Sequence, residues 1–323
     1  MSYQVLARKW RPRIFAEMAG QQHVLQALIN ALDHDRLHHA YLFTGTRGVG
    51  KTTIARILSK CLNCEVGVSS VPCGECSSCT EIGEGRFIDL IEVDAASRTG
   101  VDDMRELLDN VQYAPSRGRY KIYLIDEVHM LSTAAFNALL KTLEEPPEHV
   151  KFIFATTEIR QVPVTVLSRC QRFDLRRIEP EDQIGLLRKI AKAEGAEITD
   201  DALALITRAA EGSARDATSL LDQAISHGAG KTTVDQVRAM LGLADRGRVM
   251  DLFDSILKGD AAAALTELGA QYADGADPMA VLRDLAEITH WVSVVKITPE
   301  AADDPTISPD ERARGQHLAE ALP

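Results

Sequence analysis

The residues with the clearest chemical potential form a glycine-rich segment at positions 45–52. Its members are Gly45, Thr46, Arg47, Gly48, Val49, Gly50, Lys51 and Thr52. They follow the pattern G-x-x-x-x-G-K-[ST], in which glycines let the backbone wrap around phosphates with its N–H groups turned inward. Lys51 can reach terminal phosphates as a point charge, and the Thr52 hydroxyl can ligate a phosphate-bound magnesium ion. The segment predicts a nucleotide-binding site.

The flanking sequence matches the context that this pattern requires. The apolar run at 40–43 predicts a buried strand, and Ile54, Ile57 and Leu58 recur at helical spacing behind the segment. The amino end of that helix would direct the positive end of its dipole at the same phosphates. The alternative, a chance glycine-rich turn, does not account for strand, loop and helix in this order.

Two carboxylates at the end of a later apolar run complement the phosphate loop. Asp126 and Glu127 follow a predicted strand that begins at residue 120. Asp126 can hold the magnesium shell and Glu127 can polarise an attacking water, although a charged strand end is the simpler alternative. Thr156 and Thr157 end another strand, at 151–155, where a hydroxyl either faces the phosphates or only satisfies the turn.

Five cysteines follow the predicted phosphate-loop helix: Cys61, Cys64, Cys73, Cys76 and Cys79. The last three form two Cys-x-x-Cys steps, and four converging thiolates suit a closed structural zinc site. A redox dithiol and unliganded buried thiols are the alternatives. Spacing leaves open whether Cys61 or Cys64 is the fourth ligand, but Cys61 falls on the apolar face of its helix and is expected to pack there.

The order of elements predicts an α/β fold. Apolar runs at 40–43, 87–93, 120–127, 151–155 and 172–175 alternate with helical patterns, as in a parallel sheet covered on both faces. From residue 179 onward the pattern is helical. We therefore predict a sheet domain at 1–178, with the cysteine module at about 61–80, a helical domain at 179–242 and a further, incomplete helical domain at 243–323.

Composition limits the class of protein. The chain has 323 residues, a net charge of −11 and six cysteines, and no apolar run approaches the roughly twenty residues of a membrane span. Its start has neither the basic tip nor the apolar stretch of a signal peptide, so we expect a cytoplasmic protein that does not engage membranes.

Charge is distributed unevenly along the chain. Residues 1–60 hold nine Lys/Arg against three Asp/Glu, whereas residues 243–323 hold seven against fifteen. The basic segment 8–12, with Trp10, is either a solvated arm or a segment that lies over a nucleotide base.

Several of these motifs together resemble one family. The segment 3–12, the phosphate loop, the cysteine cluster, the tetrad 126–129 and the triplet 168–170 are similar to the gamma/tau clamp-loader ATPases of bacterial DNA polymerase III. The similarity covers nearly the whole chain. It implies an AAA+ ATPase with a helical lid and a C-terminal oligomerisation collar. It also implies that the zinc ligands are Cys64, Cys73, Cys76 and Cys79, leaving Cys61 out.

The resemblance implies a role for each site residue. Lys51 and Thr52 would contact phosphate and magnesium, Asp126 would be the metal-site acid and Glu127 the water activator. Thr157 would be the first sensor, with Thr156 as the alternative. Arg215 resembles the second sensor, which would draw the lid onto the terminal phosphate. Arg169 resembles an arginine finger that reaches the ATP of a neighbouring subunit.

The resemblance also implies cofactors and partners. The cofactors would be ATP, Mg²⁺ and Zn²⁺. The partners would be the delta and delta-prime subunits, further gamma/tau copies, a sliding clamp and the phosphates of primer–template DNA, with Arg98 as one candidate DNA contact. ATP binding would drive assembly and clamp opening, and hydrolysis would release the clamp. A non-catalytic scaffold subunit of the same complex, another DNA-remodelling AAA+ ATPase such as a branch-migration motor, and a zinc-dependent DNA-binding module are the alternatives.

Overall fold

The computed structural model describes residues 4–97, 101–228, 231–241, 246–300, 307 and 309–321. The chain forms two compact units. The first consists of residues 7–178 together with 213–215, and the second of the residues up to 6, 179–212 and those from 216 onward. The boundary predicted between 242 and 243 lies outside the described residues, so it stays a prediction.

A five-stranded parallel sheet organises the first unit. Its strands are β1 (Ala40–Thr44), β2 (Leu90–Asp94), β3 (Lys121–Asp126), β4 (Val150–Thr156) and β5 (Gln171–Asp174), in the spatial order β2-β3-β4-β1-β5. Asp94 is in register with Asp126, and Thr44 with Thr156. Parallel strands in this register end together, so the residues that follow β1, β3 and β4 meet at one edge of the sheet.

Helices cover both faces of this sheet. The helices of this unit are α1 (Leu6–Lys9, whose last three residues belong to it), α2 (Gln22–Asp33), α3 (Lys51–Asn63), α4 (Ser77–Glu84), α5 (Val101–Asp109), α6 (Thr133–Glu144) and α7 (Val164–Leu167). Tyr41 and Phe43 of β1 pack in an apolar cluster with α2, α3 and α4. Ala40 and Leu42 pack in a second cluster with α5, α6 and α7. The alternation along β1 confirms the predicted parallel sheet that is buried on both faces.

The structure corrects one predicted boundary in this unit and adds one helix. Strand β2 begins at Leu90 rather than at residue 87, because residues 87–90 form a turn in which the Leu90 N–H donates to the carbonyl oxygen of Phe87 at 3.1 Å. The Asp89 carboxylate, in a residue only 1% exposed, accepts the backbone N–H groups of Ser116, Arg117 and Gly118, each at 2.7 Å. Helix α4, inside the cysteine module, was not predicted from the sequence.

The second unit is mainly helical. Its helices are α8 (Pro180–Ala193), α9 (Asp200–Ala209), α10 (Ala214–His227, whose first two residues belong to the first unit), α11 (Val234–Leu241), α12 (Arg246–Leu257), α13 (Ala261–Ala273), α14 (Pro278–Ile297) and α15 (Pro309–Ala321). The expectation that everything after residue 179 is helical is wrong in one detail. Glu197–Ile198 (β6) and Lys231–Thr232 (β7) form a short parallel pair that joins the loops after α8 and α10. Among the described residues, no helix is both long and apolar enough to cross a membrane.

Replacement of Asp89 by Ala tests the turn ahead of β2. We expect a loss of about 2–4 kcal/mol in the free energy of unfolding, because three backbone donors would lose a charged acceptor at a buried position. Urea-induced unfolding monitored by circular dichroism measures the change. Asp109→Ala, at an exposed position of α5, is the control and should shift stability by less than about 0.5 kcal/mol. Equal midpoints for the two variants would contradict this account of Asp89.

Candidate nucleotide-binding site and metal centre

The phosphate-loop residues connect β1 to α3 at the edge where the strands end. Gly48 has φ +79° and Gly50 has φ +107°, conformations that glycine adopts without strain. A Cβ on Gly48 would also collide with the Ser213 hydroxyl. Helix α3 begins at Lys51 without a side-chain cap, so its first N–H groups remain available to an anion.

The Lys51 side chain lies across this loop. Its Nζ donates to the carbonyl oxygens of Gly45 at 2.8 Å and Thr46 at 3.0 Å. Burial lowers the pKa of Lys51, and the nearby carboxylates of Glu127 and Asp126 partly oppose that shift. An ammonium that is stripped of water and held by neutral carbonyls is well placed to pair with a phosphate anion.

Thr52 and Asp126 join the helix to β3. The Thr52 hydroxyl donates to Asp126 Oδ2 at 2.9 Å, and Asp126 Oδ1 accepts the backbone N–H of Glu127 at 3.0 Å. Mg²⁺ prefers oxygen ligands in octahedral geometry, where adjacent ligands at a bond length of about 2.1 Å lie about 3.0 Å apart. The two oxygens therefore fit adjacent positions around this ion.

Glu127 faces the end of β4. Its φ of +48° is an uncommon conformation for a residue with a side chain, and it turns the chain sharply after β3. Glu127 Oε2 accepts the N–H of Thr157 at 3.1 Å and the hydroxyl of Thr157 at 3.0 Å. The carboxylate is thus held beside the threonine that the resemblance identifies as a sensor.

The structure separates the two adjacent threonines. Thr156 is fully buried, and its hydroxyl oxygen accepts the backbone N–H of Glu158 at 3.0 Å. Thr157 is partly exposed and directs its hydroxyl to Glu127. Thr156 therefore fits the alternative that a hydroxyl satisfies the turn, whereas Thr157 lies among the site residues.

Arg215 also lies against the phosphate loop. Its backbone N–H is 3.4 Å from the carbonyl oxygen of Gly48, and residues 213–215 belong to the same compact unit as the loop. Arg11, whose role the sequence left open, donates to the Thr53 hydroxyl in the first turn of α3 at 3.2 Å. Burial, with smaller contributions from Arg56 and Arg215, lowers the pKa of Arg11.

One further residue beside the loop was missed by the sequence analysis. The terminal methyl of Met18 lies 2.8 Å from where a Cβ on Gly50 would be, so Met18 packs directly on the loop. A single methionine ahead of an amphipathic helix offers no pattern by which this contact could be predicted.

Arg169 is not part of this group. Its guanidinium donates to Glu144 at 2.6 Å, to the carbonyl oxygen of Thr165 at 2.6 Å and to the Ser168 hydroxyl at 3.3 Å. About a third of its side chain is exposed. Arg98, the candidate DNA contact, lies outside the described residues.

Four cysteines form a compact cluster of sulfur atoms. The Sγ atoms of Cys64, Cys73, Cys76 and Cys79 all lie within 4.8 Å of one another, and Cys73 and Cys79 are 3.9 Å apart. Sulfurs around a tetrahedral zinc ion with bonds of about 2.3 Å are about 3.8 Å apart, so the cluster could bind this metal. The N–H groups of Cys76 and Glu75 lower the pKa of Cys73 to about 6, which favours the thiolate that a metal requires.

Cys61 lies outside this cluster. It is fully buried and its Sγ contacts the carbonyl oxygen of Ser70 at 3.6 Å. Burial raises the pKa of Cys61 to about 12, so it remains a thiol. This arrangement agrees with the expectation that Cys61 packs on the apolar face of its helix.

The cysteine module is bonded to the segment that leads into β3. Arg117 donates to Glu81 at 3.0 Å and to the Ser77 hydroxyl at 2.7 Å. Arg119 donates to the carbonyl oxygens of Cys64 and Glu65. The module therefore braces residues 116–120, and Asp89 accepts three of their backbone N–H groups.

Metal removal tests this brace. Chelation should speed amide hydrogen exchange within the module and at residues 116–120, because Arg117 and Arg119 would lose ordered partners, while β4 should keep its protection. Arg119→Ala should produce the same local increase with the metal retained. Arg86→Ala, which removes an exposed ion pair with Glu84, is the control.

Metal content, measured by elemental analysis, is the second readout. Cys76→Ser should abolish it and Cys61→Ala should leave it unchanged. Unaltered exchange at 116–120 after complete metal loss would show that the module does not brace this segment.

Comparison with solved structures identifies the fold. Thermotoga maritima RuvB, described as a Holliday junction branch migration motor, aligns with a TM-score of 0.55 at 20% identity over 82% of this chain and 85% of RuvB. A variant of the same RuvB aligns with a TM-score of 0.56 at 19% identity, over 85% of this chain and 88% of the variant. Identities this low show a common AAA+ fold and nothing about what this chain acts on.

Family models match three successive parts of the chain. Residues 20–179 match the model "DNA polymerase III, delta subunit" and residues 184–230 match "DNA polymerase III clamp loader subunit, ATPase lid domain". Residues 232–323 match "DNA polymerase III subunits gamma and tau domain III". The predicted α/β fold with a helical lid and a C-terminal helical domain is thereby confirmed.

Curated relatives extend over the same residues. DNA polymerase III subunit tau of Escherichia coli (strain K12) is 52% identical over the whole chain, which spans about half of that relative (50%). DNA polymerase III subunit gamma of Buchnera aphidicola subsp. Baizongia pistaciae is 47% identical over 93% of this chain and 81% of its own length. Identities of 47–52% are far above the 19–20% of the solved structures that share only the fold. The chain belongs to the gamma/tau family of DNA polymerase III subunits.

Proposed function

We propose that this chain binds Mg·ATP and hydrolyses it as the ATPase subunit of a clamp loader. The observation that supports the proposal most directly is the convergence of Lys51, the Thr52–Asp126 pair and the Glu127–Thr157 pair at the edge of the parallel sheet. Charge compensation, metal ligands and a carboxylate for water activation are the three requirements of phosphoryl transfer to water.

The contacts of each site residue suggest its role in hydrolysis. The loop N–H groups and the start of α3 hold the phosphates, and Lys51 Nζ exchanges its carbonyl partners for phosphate oxygens. Thr52 and Asp126 would hold Mg²⁺, which would neutralise charge on the phosphates. Glu127 orients the attacking water and accepts its proton. Thr157 senses the terminal phosphate, and Arg215, held against the loop by its backbone, contacts the same phosphate.

Arg169 acts on a neighbouring subunit in this proposal. Its guanidinium is partly exposed and makes its hydrogen bonds outside the group that surrounds Lys51. An arginine supplied in trans is worth about three to five orders of magnitude in rate. Hydrolysis would therefore depend on assembly.

The relatives carry the names of DNA polymerase III subunits, and we propose that this chain works in the corresponding complex. Its partners would be delta, delta-prime and further gamma/tau copies, together with a sliding clamp and the phosphates of primer–template DNA. ATP binding would assemble the complex and open the clamp, and hydrolysis would release it. One Zn²⁺, held by Cys64, Cys73, Cys76 and Cys79, would stabilise the module.

The alternatives have less support. A scaffold subunit has no need of a lysine, two metal-site oxygens and a water-activating carboxylate in one place. A branch-migration motor shares the fold, but the curated relatives at 47–52% identity are polymerase III subunits. A zinc-dependent DNA-binding module leaves the phosphate loop without a role.

Paired substitutions at the nucleotide site test hydrolysis. Lys51→Ala should weaken Mg·ATP binding and abolish turnover. Glu127→Gln should keep binding while turnover falls by about 10²- to 10⁴-fold, because the amide cannot accept the proton. Lys141→Ala, an exposed lysine of α6, is the control. Binding is measured by equilibrium titration, and turnover with and without the partner subunits, clamp and primed DNA. A turnover rate that does not change when the partner subunits, clamp and primed DNA are added would contradict the clamp-loader mechanism.

A mixing experiment tests the trans arginine. Neither Arg169→Ala nor Lys51→Ala chains alone should hydrolyse ATP in the assembled complex. A mixture should regain part of the activity, because some interfaces pair an intact loop with an intact Arg169. Arg172→Ala, which removes a neighbouring exposed ion pair with Asp174, is the control and should keep full activity. No recovery in mixtures, with assembly verified, would remove Arg169 from this role.

A further inference from the structure

His129 lies beside Glu127, the proposed water activator, but has no role in the mechanism so far. A 3-10 turn over Val128–Met130 follows Glu127, and it brings His129 back toward the end of β4. Its Nδ1 lies 3.0 Å from the Thr156 hydroxyl oxygen and 3.4 Å from Glu127 Oε2. The ring is largely buried, with 10% of the side chain exposed.

The surrounding atoms determine where the imidazole proton lies. Thr156 Oγ1 already accepts one hydrogen bond, from the N–H of Glu158 at 3.0 Å, and its second lone pair remains. A bare Nδ1 lone pair would face the Glu127 carboxylate at 3.4 Å and be repelled by it. The tautomer with the proton on Nδ1 removes that repulsion, donates the N–H to Thr156 Oγ1 and places its positive hydrogen beside the Glu127 carboxylate.

The contacts to the Glu127 carboxylate are one-sided. In the part of the chain that the structure describes, the Thr157 N–H, the Thr157 hydroxyl and His129 Nδ1 all face Oε2. Oε1 is therefore the oxygen available to a water molecule. Which way the carboxylate turns depends on the donors that surround Oε2.

We propose that His129 is a positioning residue for Glu127, linked through Thr156 to the end of β4. This inference rests on the proposed ATPase function. When the Thr157 hydroxyl engages a phosphate, Glu127 Oε2 loses that donor, and the Thr157 N–H and the nearby Nδ1–H of His129 remain to orient it. His129 thereby keeps Oε1 directed at the attacking water during the step in which the sensor is occupied.

Three substitutions test the role of Nδ1–H. His129→Ala should lower kcat by about 10- to 100-fold, the cost of a misplaced catalytic group, with Mg·ATP affinity and Tm unchanged. His129→Asn places an amide N–H at the position of Nδ1 and should restore most of the activity. Thr156→Val removes the hydroxyl at nearly constant shape and should reproduce the loss in kcat, whereas Thr156→Ser should not.

The double variant separates one shared contact from two independent effects. If His129 and Thr156 act together, the His129→Ala/Thr156→Val chain should lose no more activity than either single variant. His149→Asn is the matched control. This histidine precedes β4, at the end of the strand opposite Thr156, and bonds the carbonyl oxygens of Val111 and Tyr113. Its replacement should leave kcat unchanged.

The outcomes distinguish this inference from the proposed function. A wild-type chain that neither binds nor hydrolyses Mg·ATP, even with the partner subunits, clamp and primed DNA, would overturn the proposed function itself. An active wild type with an equally active His129→Ala variant would overturn only the role of His129. A variant that loses affinity and Tm in parallel with kcat, or a His129→Asn variant no better than His129→Ala, would also overturn it.

Discussion

The hydrogen bond between Thr52 and Asp126 is the interaction on which the site depends, because it joins the start of α3 to the end of β3. These residues are 74 positions apart in the chain, and only the parallel register of β3, β4 and β1 brings them together. Lys51 precedes one partner and Glu127 follows the other. Any shift of α3 against the sheet would therefore separate the phosphate contacts from the carboxylates.

Three charged side chains that the proposed mechanism uses each have a partner within the protein. Lys51 is held by loop carbonyls, Glu127 by Thr157 and Arg169 by Glu144. These contacts restrict the side chains to few orientations, which reduces the entropy lost when a ligand takes the partner's place. The hydrogen bonds of the Arg169 guanidinium go to Glu144, Thr165 and Ser168, none of which belongs to the phosphate loop.

The cysteine module is bonded to the sheet through the segment that precedes β3. Arg117 and Arg119 bond the module to residues 116–120, and Asn63 exchanges two hydrogen bonds of 2.9 Å with the backbone of Tyr120. Asn63 ends α3, and Tyr120 directly precedes β3. The far ends of α3 and β3 are thus bonded to each other as well, so both elements are fixed at two points.

The sequence by itself determined the chemistry and the class of fold, because motif spacing and hydrophobic periodicity are local. The phosphate loop, the carboxylate pair and five alternating strands were predictable in this way, and so was the packing of Cys61. The late start of β2, the contact of Met18 with Gly50 and the pairing of β6 with β7 were not. Nor were the different hydrogen bonds of Thr156 and Thr157, or the position of His129 beside them. Each of these depends on which groups meet across elements distant in the chain, and only the tertiary structure decides that.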